Sequence, residues 1–284
     1  MHTPQVAILL VVLLLRVCSP LPVLNAQAPA EGITITRDIA YGDGPRRTLD
    51  VYAPRRSPAP APVVVFFYGG AWRIGMKQWH RYIGTALAAR GVLVVIPDYR
   101  QYPEVRFPYF MNDAAAAVAW AHGNAARFGG DPNRLFLMGH SAGGQIVTLL
   151  ALDATYLRSV GMTQGDVCGV IGLAGAYDLQ PADPAEFPAI PADAWAQSRP
   201  VNHVTPQAPP MLLLTGQADG VVEPGNTLRL ASRLRAAGVP VTVAAYPGID
   251  HMALMEALAD SLTFLAPVRA ASVAFIADRG PCGK

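Results

Sequence analysis

The fold of this chain is decided by one stretch, Arg134-Leu135-Phe136-Leu137-Met138-Gly139-His140-Ser141-Ala142-Gly143-Gly144-Gln145-Ile146-Val147-Thr148-Leu149-Leu150. Its first five residues are typical of a buried strand, and the apolar run after Gly144 is typical of the start of a helix. Between them lies a G-x-S-x-G sequence centred on Ser141. The small residues around the serine let the strand and the helix approach closely. The pattern therefore predicts a sharp turn that exposes the hydroxyl of Ser141 at the end of a sheet.

Segments typical of strands and helices alternate on both sides of this turn. Strands are predicted at 33–37, 48–53, 63–67, 92–96, 134–138, 167–173, 211–215 and 241–246. Besides the helix after Ser141, helices are predicted at 79–90, 108–127, 224–237 and 267–277. This alternation predicts an α/β fold with a mostly parallel, eight-stranded sheet and helices on both faces. The first two strands flank a Gly/Pro turn at 42–45, so we expect them to pair antiparallel at one edge.

A serine hydroxyl becomes a useful nucleophile when a base removes its proton, and a carboxylate must orient that base. His251 follows the last predicted strand, where this architecture places its base. His140 is adjacent to Ser141, but we expect the sharp turn to point its side chain away. Asp219 follows the penultimate strand, which gives the chain order Ser, Asp, His. Asp178, after the strand at 167–173, is the competing candidate for the acid.

Acyl transfer also needs N–H donors for the oxyanion that forms on the substrate. The first expected donor is the backbone N–H of Ala142, directly after the nucleophile. The others are expected from Gly70 and Ala71, in the loop after the strand at 63–67, because adjacent glycines let a backbone turn its N–H groups toward a site.

Aromatic residues near these loops are expected to form the wall of the substrate pocket. They are Tyr68, Trp72, Tyr177 and Trp195. The short, Pro-rich segment 179–206 is the candidate for a small lid, so we expect an open pocket. Because neither basic nor acidic residues cluster near these loops, the expected substrate is a small neutral ester.

Composition excludes other classes of function. Of 284 residues, 52% are hydrophobic and 15% are charged, which favours one large folded domain over disorder. The net charge is only +2 and no basic run occurs, which argues against a nucleic-acid partner. His, Cys and Asp residues show no metal-ligand spacing, so we expect neither a metal nor another cofactor.

The N-terminus is typical of a secretory leader. The apolar run 7–15 is too short to span a membrane, which takes about 20 residues, but it fits the core of a signal peptide. Ala26-Gln27-Ala28 offers a cleavage site. We therefore predict a signal peptide at 1–28 and a catalytic domain at 29–284, secreted or periplasmic, without stable membrane association after cleavage. An uncleaved anchor reaching Leu24 remains an alternative.

Removing that leader leaves two cysteines, Cys168 and Cys282. Cys168 begins a strand, and the tail holding Cys282 follows a helix that runs back toward the same end of the sheet. An oxidising compartment would favour a bond between them. A Cys168–Cys282 disulfide is therefore a hypothesis, and the strand order decides whether the two residues meet.

Together, these motifs resemble the α/β-hydrolase superfamily, most closely its small carboxylesterases of the hormone-sensitive-lipase and feruloyl-esterase-like branches. The resemblance covers about residues 33–278 and rests on the stretches 66–72, 97–100, 128–134 and 139–144. Gly69 to Trp72 are also similar to prenylcysteine methylesterases and arylformamidases. Tyr68 stands where many relatives have His. In the family pattern, Asp98 and Arg100 brace the loops around the site.

The resemblance implies a serine esterase that works through an acyl-enzyme on Ser141. Amidases, arylformamidases and peptidases share this machinery and differ in pocket shape, so they remain alternatives. A non-catalytic binding protein on the same fold is the rival from another class. Such a protein should lack a member of the triad, whereas this chain has all three candidates.

Overall fold

The computed structural model describes residues 21–29, 31–181 and 183–282. Within these ranges, eight strands form one sheet in the order β1-β2-β4-β3-β5-β6-β7-β8. The strands are β1 Ile33–Ala40, β2 Thr48–Pro54, β3 Ala61–Phe67, β4 Leu93–Pro97, β5 Gly130–His140, β6 Gly169–Leu173, β7 Met211–Gly216 and β8 Val241–Tyr246. β2 pairs antiparallel with β1 and with β4, and the other neighbouring pairs are parallel. The predicted sheet and its antiparallel edge are confirmed.

The helices lie between the strands, as expected. They are α1 Leu21–Gln27, α2 Arg81–Ala88, α3 Tyr109–Asn124, α4 Ala142–Leu152, α5 Ala154–Arg158, α6 Trp195–Ser198, α7 Gly225–Ala236, α8 His251–Glu256 and α9 Val268–Ala277. The chain steps from β3 to β4 toward one edge and then from β4 to β5 toward the other. Because such crossovers are right-handed, this reversal places α2 and α3 on opposite faces of the sheet.

The centre of the sheet explains the continuous apolar runs in the sequence. Residues 63–67 of β3 are fully buried, as are residues 135–138 of β5 beside it. Strands covered on both faces need apolar side chains at every position rather than at alternate ones. The result is a rigid platform from which the loops at the carboxyl ends of β3, β5, β7 and β8 project at one edge.

The opposite end of the sheet is closed by a disulfide. Cys168 and Cys282 are bonded, with their Cα atoms 4.8 Å apart, which confirms the pairing hypothesis. The backbone N–H of Cys282 donates to the carbonyl of Asn133, near the start of β5, at 2.8 Å. The bond ties the C-terminal tail to the base of the sheet, far from the loops that carry the predicted site.

The N-terminal helix lies within residues that the sequence assigns to the leader. α1 contacts α2 and the 3₁₀ turn Lys77–His80, and Leu24 is 4% exposed. Residues 1–20, including the apolar run, lie outside the described ranges. Within those ranges, no helix combines the length and the apolar character needed to cross a membrane.

Candidate active site

Ser141 occupies the sharp turn between β5 and α4. Its φ of 56° and ψ of −122° are unfavourable for a residue with a side chain, at a typical cost of about 1–3 kcal/mol. Its N–H donates to the carbonyl of Leu173 at 2.9 Å, which fixes the turn to the neighbouring strand β6. A Cβ on Gly139 would lie 2.3 Å from the carbonyl oxygen of Gly143, and one on Gly143 would lie 2.0 Å from that of Phe67. The two glycines are therefore required by the close approach of strand and helix.

His251 and Asp219 form a hydrogen-bonded pair. The Nδ1 atom of His251 lies 2.8 Å from Oδ2 of Asp219, and both side chains are buried. The other carboxylate oxygen, Oδ1, accepts the N–H groups of Val221 at 2.9 Å and Val222 at 2.8 Å. Because both oxygens only accept, Nδ1 of His251 carries the proton. Nε2 is left as the basic nitrogen, as a general base requires.

Asp178 has a different set of partners. Arg199 binds its Oδ1 through Nε at 2.9 Å, and Arg229 binds its Oδ2 at 2.5 Å. Burial by itself would raise the pKa of Asp178, but the two guanidinium groups outweigh burial and lower the pKa. Asp178 therefore ties the 179–206 segment, through Arg199, to α7, through Arg229. Asp219 is the carboxylate that contacts His251.

His140 lies against His251, a contact that the sequence analysis did not predict. Its Nε2 is 2.9 Å from the backbone carbonyl oxygen of His251, and the two rings are 4.5 Å apart between centroids. Since a carbonyl can only accept, Nε2 of His140 is the donor. Burial lowers the pKa of His140 well below its usual range, so the ring is neutral. The side chain of His140 is directed toward the loop that carries His251.

This contact links the His251–Asp219 pair to the segment that carries Ser141. His140 is the chain neighbour of Ser141 and contacts His251, which in turn binds Asp219. The sequence offers no signal for the role of His140 beyond its position next to the serine, because its partner is 111 residues away.

The predicted oxyanion loop lies beside the serine. A Cβ on Gly69 would lie 2.8 Å from Cβ of Ser141, so the bare backbone at residue 69 packs directly against the nucleophile turn. Gly70, Ala71 and Trp72 all have positive φ, at 110°, 52° and 58°. Two of these residues have side chains, so the loop needs support from its surroundings.

Tyr68 provides that support, and its predicted place in the pocket wall is corrected. Its side chain is fully buried, and its hydroxyl donates to Oδ1 of Asp98 at 2.5 Å. Its ring stacks on His80 and on Tyr99, each at 5.1 Å between centroids. The N–H of Lys77 donates to the same Asp98 oxygen at 2.8 Å. Tyr68 therefore braces the loop from beneath and has no surface left for substrate.

Trp72 and Tyr177 are likewise buried and are removed from the predicted pocket wall. Trp72 is 1% exposed, and its Nε1 donates to Oε1 of Gln145 on α4 at 3.2 Å. Tyr177, in the loop after β6, is fully buried. Trp195 is half-buried on α6 and packs edge-on against Phe187. Of the four aromatic candidates, only Trp195 reaches the surface. The sequence prediction failed for the other three because their local sequence does not show what their side chains pack against.

The predicted lid is a short segment, called the strap below, that is held at two points. Between Leu179 and Pro206 the described residues form brief 3₁₀ turns and the single-turn helix α6. The carbonyl of Ser198 accepts from Nε2 of Gln145 at 2.6 Å, and that of Ala189 accepts from the N–H of Phe107 at 2.8 Å. The strap is thus anchored to α4, the helix that follows Ser141, and to the segment before α3.

Asp98 and Arg100 have the bracing contacts that the resemblance implies. Arg100 binds both carboxylate oxygens of Asp113 on α3, at 2.8 and 2.7 Å. As for metals, no group of three His, Cys, Asp or Glu side chains is placed to hold an ion in the described ranges.

The BD-FAE family profile matches residues 49–234, well over half of the chain. The chain belongs to the BD-FAE family. The isoprenylcysteine alpha-carbonyl methylesterase ICME of Arabidopsis thaliana is 30% identical over 240 residues, covering 76% of this chain and 56% of that protein. Esterase LipC of Mycobacterium tuberculosis is 32% identical over 237 residues, covering 76% and 59%. The chain thus spans slightly more than half the length of these relatives.

Solved structures with the same fold include a truncated carbohydrate esterase from gut microbiota. It has a TM-score of 0.77 at 21% identity, covering 88% of this chain and 98% of that one. An arylesterase has a TM-score of 0.70 at 20% identity, covering 91% and 88%. At these identities the likeness concerns the fold alone, and it confirms the predicted α/β-hydrolase fold.

Proposed function

We propose that this member of the BD-FAE family is a serine hydrolase that cleaves small, neutral carboxylic esters through an acyl-enzyme on Ser141. The observation that carries this proposal is the His251–Asp219 hydrogen bond at 2.8 Å, at the edge of the sheet where the strained Ser141 turn lies. Relatives named as esterases and as a methylesterase support the choice of an ester.

In the proposed reaction, Nε2 of His251 takes the proton of the Ser141 hydroxyl while the oxygen attacks the ester carbonyl. The tetrahedral intermediate then collapses, the bond to the alcohol breaks, and His251 returns the proton to the leaving oxygen. Water, deprotonated by the same nitrogen, attacks the acyl-enzyme. The acid leaves and the proton returns to Ser141, so no cofactor enters the cycle.

Asp219 supports two states of the base. Before reaction, its Oδ2 holds the proton on Nδ1 of His251 and so keeps Nε2 free. When His251 becomes an imidazolium, the same carboxylate stabilises the positive charge. The two backbone N–H groups on Oδ1 keep the carboxylate from rotating.

The oxyanion is assigned to the N–H groups of Ala142, Gly70 and Ala71. Ala142 opens α4, and the N-terminus of a helix favours negative charge. The glycine loop packs against Cβ of Ser141, which supports the same assignment for its N–H groups. Removing one such donor in a comparable enzyme costs roughly 3–4 kcal/mol of transition-state stabilisation.

Export is part of the proposal. The apolar run at 7–15 supports a secretory leader, and the Cys168–Cys282 bond is typical of proteins in an oxidising compartment. We place the enzyme outside the cytoplasm, in the periplasm or the medium, without a nucleic-acid partner.

The test is a hydrolysis screen of the purified protein with p-nitrophenyl acetate, butyrate and octanoate, N-formylaniline and a peptide anilide. We expect turnover of the short esters, and labelling of Ser141 by a fluorophosphonate, located by peptide mass spectrometry. Ser141→Ala is the matched control for both readouts. Faster cleavage of the formyl amide or the anilide would replace the ester assignment with an amidase or peptidase. If neither turnover nor labelling is observed, the esterase assignment is wrong and the protein is a non-catalytic binding protein.

A further inference from the structure

Helix α1 is fitted to the catalytic body by the side chain of one residue, Asn25. Its Nδ2 donates to the carbonyl oxygens of Gln78 at 2.9 Å and Trp79 at 3.0 Å. Its Oδ1 accepts the N–H of Tyr82 at 3.0 Å. The asparagine thus meets both carbonyls at the end of one helical turn and an N–H at the start of the next helix.

The N–H that donates to Asn25, that of Tyr82, belongs to the first turn of α2, and the residue at the N-cap of α2 supplies no capping side chain. His80 stands at the N-cap position of α2 and makes no capping hydrogen bond through its side chain. Its ring is stacked on Tyr68, and its Nδ1 faces the carbonyl of Met76. First-turn N–H groups of a helix need a partner, and asparagine is among the best residues for this purpose. Here the cap comes from Asn25, more than fifty residues earlier in the chain.

The apolar side of α1 matches the body as well. Leu24 is buried, and it lines a crevice together with Gln27, Tyr82 and Ala259. Val23, on the other side of the same helix, is 56% exposed. Helix α1 therefore packs against the domain with one defined side, which carries the buried Leu24 and the hydrogen-bonded Asn25, while Val23 faces solvent.

The turn that Asn25 binds also contacts residues that support the predicted oxyanion loop. The 3₁₀ turn Lys77–His80 lies between Asn25 and the brace of the oxyanion loop. The N–H of Lys77 binds Asp98, and the ring of His80 stacks on Tyr68. His80 thus contacts Tyr68, the residue that precedes Gly69, directly, and Lys77 contacts it through Asp98. Loss of Asn25 would loosen the turn on which that support rests.

We propose that Leu21–Gln27 is a permanent part of the mature enzyme, and that any removal of the leader occurs before Leu21 rather than after Ala28. A cut after Ala28 would discard the only capping side chain that α2 has among the described residues and would uncover the buried Tyr82. Pro29, directly after the predicted cut, also disfavours that position.

The first test is the N-terminal sequence and intact mass of the full chain, expressed in an exporting host and purified from the compartment it reaches. We expect a first residue at or before Leu21, including an unprocessed Met1. A first residue anywhere after Leu21 overturns the proposal.

The second test compares Asn25→Ala with Val23→Ala in the same full chain. We expect Asn25→Ala to lower the midpoint of thermal unfolding by several degrees, as loss of a helix cap does in a domain of this size. Val23→Ala, on the exposed side of α1, is expected to leave the midpoint unchanged. Equal midpoints for the two variants would show that the hydrogen bonds of Asn25 do not stabilise the packing of α1 against the domain. Neither test depends on activity, so failure of the esterase proposal would leave both results interpretable.

Discussion

Replacing Asp219 with asparagine should reverse the tautomer of His251. Oδ1 of Asp219 accepts two backbone N–H groups, from Val221 and Val222. In Asp219→Asn only the amide oxygen can take that place, so the amide NH₂ must face Nδ1 of His251. Nδ1 then has to accept, and its proton moves to Nε2. That nitrogen is the one required to take the proton of Ser141.

The size of the effect follows from this reversal. The same change in a comparable serine hydrolase lowers kcat about 10⁴-fold with the geometry intact, which corresponds to about 5 kcal/mol of transition-state stabilisation. Because Asp219 is buried behind His251, KM should stay within a few-fold of wild type. Turnover of p-nitrophenyl acetate and a thermal unfolding curve measure both the chemistry and the fold.

Asp178→Asn is the matched control. It removes the charge that holds Arg199 and Arg229, so we expect a lower midpoint of unfolding but a kcat within a few-fold of wild type. The reasoning is refuted if Asp178→Asn costs far more in kcat while Asp219→Asn is mild.

Four further outcomes are expected. Ser141→Ala should lower kcat by about 10³-fold or more without changing the circular dichroism spectrum, and near-normal turnover would contradict the triad. Gly69→Ala places a Cβ 2.8 Å from that of Ser141, so kcat should fall about 10²-fold; unchanged kinetics would show that the loop lies elsewhere. Burial lowers the pKa of His140, so the free energy of unfolding in urea should be highest above pH 6.5 and fall as the pH drops below it, less so in His140→Gln. Cys282→Ser should lower stability by up to about 5 kcal/mol, since the Cys168–Cys282 bond closes a separation of 114 residues; an unchanged urea midpoint would contradict this.

Local patterns in the sequence predicted the sheet and the elements that carry the chemistry. The strand at 241–246 has the predicted bounds, and Gly91, after α2, has the positive φ of a helix-ending glycine. These features depend on neighbours in the chain, where periodicity and glycine placement carry the signal. The chain order of Ser141, Asp219 and His251 also follows from their positions after β5, β7 and β8.

The surroundings of the site could not be predicted in this way. Tyr68, Trp72 and Tyr177 stand next to the right loops, but whether an aromatic side chain faces a pocket or the core depends on distant partners. Tyr68 meets Asp98, thirty residues away, and Trp72 meets Gln145. The same kind of long-range packing decides two further contacts, that of His140 with His251 and that of Asn25 on α1 with Tyr82.

Three segments of the candidate site are each fixed by a hydrogen bond from a buried side chain to a distant part of the chain. His140 holds the backbone of His251, the Tyr68–Asp98 bond holds the glycine loop, and Gln145 holds the strap through Ser198. Strand ends alone place loops within a few ångströms, whereas catalysis needs about 0.5 Å. The three hydrogen bonds provide the additional precision in loop position. The strained conformation of Ser141 persists because the contacts around it leave no room for a relaxed one. Tyr68 fits this arrangement because its hydroxyl reaches Asp98 while its backbone leads into Gly69.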